Sequence, residues 1–196
     1  MTNRYVTSRV LCVVVCGMLL WVGSAHAARL ALAPGDMAPP LSGKTSQNTR
    51  LSVDYAKSQL TVVNFWATWC EPCKAEMPEL NRLYEKLSPS GLEIIGVHAS
   101  YVAEQDLRDF VKALELVYTI LVPEKKVYKD WGGLGVLPTS FLVDNEGKIL
   151  RRYVGSSPAQ VEGLVQDIDD ALNGRPLGPM LIPDEPTGVT VDDAKR

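Results

Sequence analysis

Two cysteines separated by two residues, Cys70 and Cys73, carry the most distinctive chemistry in this sequence. The run Leu60–Phe65 before them is apolar and β-branched, which is typical of a buried strand. The apolar residues after them recur at helical spacing: Met77, Leu80, Tyr84 and Leu87. The pair therefore lies where a strand ends and a helix begins. The unpaired N–H groups of a first helical turn stabilise an anion, here the Cys70 thiolate, the nucleophile of thiol–disulfide exchange.

Two other roles of a Cys-x-x-Cys pair fit this sequence less well. A structural zinc ion usually takes four Cys or His ligands, and His98 is the one His outside the N-terminal segment. A structural disulfide that closes so short a loop restricts the unfolded chain little and therefore adds little stability. Redox chemistry is the favoured interpretation.

The composition is that of an ordinary globular protein. The chain has 196 residues, of which 46% are hydrophobic and 22% charged, and its formal net charge is −3. This length allows one domain with a sizeable core. Because the sequence has no basic block, we predict no nucleic-acid partner.

The first 27 residues have the layout of a secretory signal peptide. A polar stretch charged only at Arg4 and Arg9 precedes the apolar run Val10–Gly23, and an Ala-x-Ala sequence ends at Ala27. We predict a signal peptide at 1–27, cleaved after Ala27, and a periplasmic or otherwise exported protein. An uncleaved membrane anchor is the alternative, although the apolar run is shorter than the roughly 18 residues of a spanning helix.

Cleavage at this site would change the cysteine content of the protein. Removing 27 of the 196 residues leaves 169, with 18 basic and 23 acidic side chains. Cys12 and Cys16 are lost, and Cys70 and Cys73 are the two cysteines that remain. An exported protein whose only thiols form such a pair is expected to process disulfides rather than be cross-linked by them.

The rest of the chain alternates strands with helices. Residues 28–43, rich in Pro and Gly, predict an irregular segment, of which 28–38 form a lead-in to the domain. The predicted strands are Thr49–Val53, Leu60–Trp66, Leu92–Val97, Tyr118–Val122, Thr139–Val143 and Lys148–Val154. The predicted helices are Cys70–Leu87, Ala103–Leu116, Val127–Trp131 and Pro158–Leu172, the last with Ser157 as its N-cap. Residues 175–196 contain four prolines and little periodicity, which predicts a partly disordered tail.

This order of elements indicates an α/β fold. Strands that alternate with helices predict a central sheet, parallel in its first part, with helices on both faces. The terminal hairpin makes the predicted sheet mixed.

The sequence resembles the TlpA/ResA-like periplasmic thiol-disulfide oxidoreductases, which have a thioredoxin-superfamily domain of the AhpC/TSA-redoxin type. The resemblance is carried by the run Asn64–Cys73, by Glu76 and Pro78, and by the run Leu137–Asp144 with Gly147 beyond it. It covers roughly Pro39 to Gly174, so 39–174 is predicted to be a thioredoxin-like domain.

The resemblance implies roles for residues that spacing alone does not single out. Pro138 should follow a cis peptide bond and face the disulfide across a groove, and Leu137 should offer its backbone to an extended substrate segment. Better-known thioredoxins hold a buried Asp at the position of Asn64. In the family that this sequence resembles, the acid–base group is instead carried by Glu76, whose pKa burial would raise. The alternative for Glu76 is a solvated helix charge.

The expected mechanism assigns different roles to the two cysteines. Cys70, at the exposed start of the helix, should attack a substrate disulfide, and Cys73 should resolve the mixed disulfide. A carboxylate at Glu71 disfavours the Cys70 thiolate, which favours a reductant over a strong oxidant. The apolar rim that substrates touch is predicted to comprise Trp66, Trp69, Pro72 and Pro138, with Trp69 the better contact candidate than Trp66.

The family's usual role is reduction of protein disulfides, including those of apocytochrome c, or assembly of a copper oxidase. Because the periplasm is kept oxidising, such a reductase needs electrons from a membrane partner, in this family one of the DsbD/CcdA type. No cofactor beyond the redox-active disulfide Cys70–Cys73 and no metal are expected.

Three alternative functions fit the sequence to different degrees. A periplasmic disulfide oxidase or isomerase uses the same chemistry and is the runner-up. A thiol peroxidase carries Pro-x-x-x-Thr-x-x-Cys, whereas Val63 and Ala67 occupy those positions before Cys70. A copper chaperone could use both cysteines and His98, but such proteins usually space their cysteines by three residues.

Overall fold

The computed structural model describes residues 32–100, 102–179 and 189–190. The predicted signal peptide and most of the predicted tail lie outside these residues. The helices and strands are β1 (Ser42–Thr45), β2 (Arg50–Ser52), β3 (Leu60–Trp66), α1 (Glu71–Leu87), β4 (Leu92–His98), α2 (Glu104–Ala113), β5 (Thr119–Pro123), α3 (Lys125–Asp130), β6 (Val136–Leu137), β7 (Thr139–Asp144), β8 (Ile149–Val154), α4 (Pro158–Leu172) and β9 (Val189–Thr190). Among the described residues, no helix is both long and apolar enough to cross a membrane.

Seven strands form a mixed central sheet in the order β2-β1-β5-β4-β3-β7-β8. Strand β4 runs parallel to both β3 and β5, whereas β7 is antiparallel to β3 and β8 is antiparallel to β7. The prediction of an α/β fold with a mixed sheet is confirmed. Strands β6 and β9 form a separate antiparallel pair.

Strand β3 lies at the centre of the fold, and all seven of its residues are buried. Its side chains alternate between the two faces of the sheet. Trp66 stacks on Phe110 of α2 with ring centroids 5.4 Å apart, whereas Phe65 packs at 5.3 Å against Trp131, the residue that follows α3. Helical segments therefore cover both faces of the sheet, and the residues after Trp66 begin at the edge of the buried core.

Strand β1 corrects the prediction of an irregular segment through residue 43. Its sequence, Ser-Gly-Lys-Thr, is short and polar, so it lacks the periodicity that marks a strand. Pairing with both β2 and β5 holds it in the sheet. A Cβ at Gly43 would lie 2.1 Å from the carbonyl oxygen of Val122, so this close approach requires glycine.

Helix α2 ends at Ala113 rather than at the predicted Leu116. Glu115 adopts the left-handed conformation, with φ of 50°, and the Leu116 N–H donates to the Val111 carbonyl at 3.0 Å. This Schellman-type ending satisfies a terminal carbonyl and stops the helix. Apolar spacing alone could not reveal this end, because Leu114 continues the helical period.

Candidate active site

Cys70 and Cys73 form a disulfide at the start of α1, with their Cα atoms 5.3 Å apart. Cys70 is the N-cap residue, and the Cys73 N–H donates to the Cys70 Sγ at 3.2 Å. The backbone of the first helical turn is thus directed at the sulfur of Cys70. The same geometry would stabilise a thiolate on Cys70 once the disulfide is reduced.

Cys70 lies at the helix start as expected, but the expectation that it is exposed there is wrong. Cys70 and Cys73 are both 0% exposed and belong to the main hydrophobic cluster. Trp66, expected as part of an apolar rim, is also a core residue. Trp69 and Pro72 are partly exposed, so they are the members of the predicted rim that reach the surface.

Pro138 follows a cis peptide bond from Leu137, as the resemblance implied. Strand β7 begins at the next residue, Thr139, which is paired with Phe65 near the end of β3. Pro138 and the disulfide therefore lie at the same end of the sheet. Both Leu137 and Pro138 are buried. Their predicted contact with substrates stays a prediction.

Glu76 is a buried carboxyl group rather than a solvated surface charge. It lies on α1 and is 7% exposed. The Asn64 Nδ2 donates to Glu76 Oε1 at 2.7 Å and to Ser140 Oγ at 2.9 Å. Burial raises the pKa of Glu76 to about 8, although the hydrogen bond from Asn64 acts in the opposite direction. The carboxyl therefore binds and releases its proton near neutral pH, three residues beyond Cys73 on the same helix.

The link from Asn64 to Ser140 is a part of the site that sequence reasoning missed. The two residues are register partners on the adjacent strands β3 and β7. Each is a buried polar residue in a buried strand that is mostly apolar. That pattern was a signal, since a buried polar side chain needs a hydrogen-bonding partner.

We expect Asn64→Ala to raise the pKa of Glu76 further, because the variant loses a donor that favours the ionised carboxylate. It should also lower the free energy of unfolding by roughly 1–3 kcal/mol, because Glu76 and Ser140 lose a buried partner. Titration of the Glu76 carboxyl by NMR measures the first effect. Ser140→Ala is the control, since it keeps the Asn64–Glu76 hydrogen bond. A lower Glu76 pKa in Asn64→Ala would contradict this assignment.

The side chain of Glu71 does not act alone beside Cys70. Lys74 Nζ lies 2.6 Å from Glu71 Oε1, one helical turn away. The positive charge of Lys74 offsets the Glu71 carboxylate, so the opposition of Glu71 to the Cys70 thiolate is weaker than predicted. The i,i+3 spacing of the two residues was the signal for this pair.

His98 is a core residue at the end of β4. Its ring is fully buried and lies edge-on to Trp66, with centroids 4.9 Å apart. Burial lowers the pKa of His98 to about 4, so the imidazole is neutral at physiological pH. In the described part of the chain, no three or more His, Cys, Asp or Glu side chains are grouped as metal ligands.

Comparisons with known proteins agree with this geometry. The model of the AhpC/TSA family matches residues 34–152. A thiol-disulfide oxidoreductase ResA of Bacillus cereus is 31% identical over 170 residues, covering 85% of this chain and 97% of the relative. A ResA of Bacillus anthracis is 34% identical over 139 residues, covering 69% of this chain and 76% of the relative.

Solved structures show the same fold. The crystal structure of a proposed thiol:disulfide interchange protein DsbE from Chlorobium tepidum superposes with a TM-score of 0.65 at 29% identity. The match covers 72% of this chain and 99% of that protein. The fold is therefore thioredoxin-like. Since the family model spans more than half of the chain and the redox pair lies within it, the chain belongs to the AhpC/TSA family and is a thiol-disulfide oxidoreductase.

Proposed function

We propose that the protein reduces disulfide bonds of exported proteins through Cys70 and Cys73, with Glu76 as the proton acceptor. The observation that carries the proposal is the hydrogen bond from the Cys73 N–H to Cys70 Sγ at the N-terminus of α1. This contact supports Cys70 as the attacking nucleophile, because the N-terminus of the helix would stabilise an anion on its sulfur.

The reaction moves two electrons from the dithiol to the substrate. The Cys70 thiolate attacks one sulfur of the substrate disulfide, and the other substrate sulfur leaves as a thiolate. Cys73 then gives its proton to the Glu76 carboxylate and attacks Cys70 Sγ, which releases the second substrate sulfur. The products are reduced substrate and the Cys70–Cys73 disulfide, so the step needs no further cofactor.

Glu76 also serves the reverse step, in which an electron donor regenerates the dithiol. With a pKa of about 8, Glu76 is mostly protonated at neutral pH and can give a proton to the departing Cys73 thiolate. One buried group can thus act as acid in one half-reaction and as base in the other.

We further propose that the substrates include apocytochrome c, whose haem-binding cysteines must be reduced, or a copper-oxidase subunit. Electrons would come from a membrane donor of the DsbD/CcdA type. The signal-peptide layout of residues 1–27 supports this setting, because a reductase exported to an oxidising compartment would need such a donor. The mass of the mature protein tests export, since cleavage after Ala27 leaves a chain that starts at Ala28.

The function is tested with an oxidised peptide that carries the Cys-x-x-Cys-His motif of c-type haem attachment. The reduced protein should lower the peptide's disulfide content in proportion to the Cys70–Cys73 disulfide that forms, as counted by thiol labelling and mass spectrometry. A Cys70→Ala, Cys73→Ala double variant is the control. If the oxidised protein instead converts the reduced peptide to its disulfide, the oxidase alternative is correct.

A further inference from the structure

Strand β9 pairs with the segment that leads into Pro138. The register aligns Val136 with Thr190 and Leu137 with Val189 in an antiparallel pair. Strand β6 does not belong to the seven-stranded sheet, and within the described residues β9 is its one strand partner. A free strand edge offers N–H and C=O groups to any extended segment that can reach it. In this structure the chain's own C-terminal region takes that edge.

The position of β9 is at the disulfide end of the sheet. Leu137 immediately precedes Pro138, and Thr139 pairs with Phe65 on β3. Beyond β3, the Cys70 N–H donates to the carbonyl oxygen of Ala67 at 3.1 Å, which holds the disulfide close to the same end. The edge occupied by β9 therefore belongs to the surroundings of the active site.

The burial of this region supports a closed state. Cys70, Cys73 and Leu137 have no exposed surface, and Val189 packs against the hydrophobic cluster that contains them. Thiol–disulfide exchange requires a second sulfur to reach the attacked sulfur directly. A fully buried Cys70 cannot meet a protein disulfide unless part of the surrounding structure moves away.

We propose that strand β9 (Val189–Thr190) is a built-in competitor of the substrate, a role that rests on the proposed function. It occupies the β6 edge as an extended strand, and a substrate must displace it to reach Cys70. The partner that this edge fits is an extended protein segment with an apolar residue opposite Leu137, as Val189 is. The apparent affinity for substrates is reduced by the fraction of molecules that are closed.

The test compares full-length variants in their rate of reduction by dithiothreitol, a small dithiol that donates two electrons and becomes a cyclic disulfide. Val189→Asp places a carboxylate against the apolar cluster and should release β9. We expect the Cys70–Cys73 disulfide of this variant to be reduced about 5- to 30-fold faster than that of the wild type. This factor corresponds to a free energy of about one or two kcal/mol that favours the closed over the open state. Val117→Asp is the matched control, because Val117 is 47% exposed, and its rate should equal that of the wild type.

A pair of truncations keeps the test decisive if Val189→Asp alters the fold. A chain that ends at Pro179 keeps β1 to α4 and lacks β9, whereas a chain that ends at Val191 keeps β9. The first should be reduced faster and the second at the wild-type rate. Equal rates for the wild type, Val189→Asp and the chain ending at Pro179 would overturn the competitor role. That result would leave the proposed function intact, since reduction of the Cys-x-x-Cys-His peptide is measured separately.

Discussion

A Cys73→Ala variant is expected to accumulate as a mixed disulfide with its substrate, joined through Cys70. Cys70 remains the N-cap of α1 and keeps the backbone environment that stabilises its thiolate. The variant lacks the resolving thiol, so release of the substrate from the mixed disulfide depends on a thiol from solution. Loss of this intramolecular step should slow turnover at least about a hundredfold. Non-reducing electrophoresis and mass spectrometry of the adduct provide the measurement.

The reverse variant, Cys70→Ala, is the control for this experiment. Cys73 is buried in the first turn of the helix, where it donates its N–H to Cys70 Sγ but receives no equivalent bond at its own sulfur among the described contacts. It should therefore trap almost no substrate. Equal trapping by the two variants would show that the attacking and resolving roles are wrongly assigned.

Glu76→Gln should make the protein more stable at alkaline pH. The folded-state pKa of Glu76, about 8, lies above the unfolded value of 4.5. Between these values the folded protein retains a proton that the unfolded chain has lost, so stability falls as the pH rises through this window. The variant lacks this dependence on pH. Its free energy of unfolding should exceed that of the wild type by roughly 2–4 kcal/mol at pH ~8, and the two values should be similar at pH ~4. Urea denaturation at both pH values gives the comparison.

Glu76→Gln should also slow thiol–disulfide exchange. Loss of a positioned proton acceptor costs about 10²-fold or more in the step that it serves, here the attack of Cys73 on the mixed disulfide. The rate should also lose the rise that accompanies ionisation of Glu76. Glu79→Gln is the control, because Glu79 is on the same helix and pairs with Arg82 at the surface. A Glu76→Gln protein with wild-type kinetics and an unchanged pH profile of stability would refute the acid–base role.

The centre of the fold could be predicted because its signals are local. The run before Cys70 is continuously apolar, and the residues after it recur at helical spacing, so the strand and helix could be placed to within one residue. Ser157 caps α4 as predicted, with its Oγ accepting from the Gln160 N–H at 3.4 Å.

The features that could not be predicted depend on contacts between distant parts of the chain. Strands β6 and β9 have two residues each and are separated by more than fifty positions, so no periodicity marks either of them. The burial of Cys70 likewise depends on what packs around it rather than on its neighbours in sequence. The hydrogen bond between Asn64 and Glu76 could be predicted only in part. Each residue was singled out from the sequence, but their contact was not.

The reduction potential of the Cys70–Cys73 pair tests the proposed direction of electron flow most directly. A strong oxidant needs a strongly stabilised thiolate, whereas here one backbone N–H faces Cys70 Sγ and Lys74 is already paired with Glu71. We therefore expect a value nearer ~−270 mV, as in thioredoxin, than the ~−120 mV of a strong periplasmic oxidant. That gap of ~150 mV corresponds to roughly 7 kcal/mol for a two-electron couple. The measurement is equilibration of the full chain in glutathione buffers, with free thiols counted by alkylation. A potential more positive than about −160 mV would contradict the reductase assignment and favour the oxidase alternative.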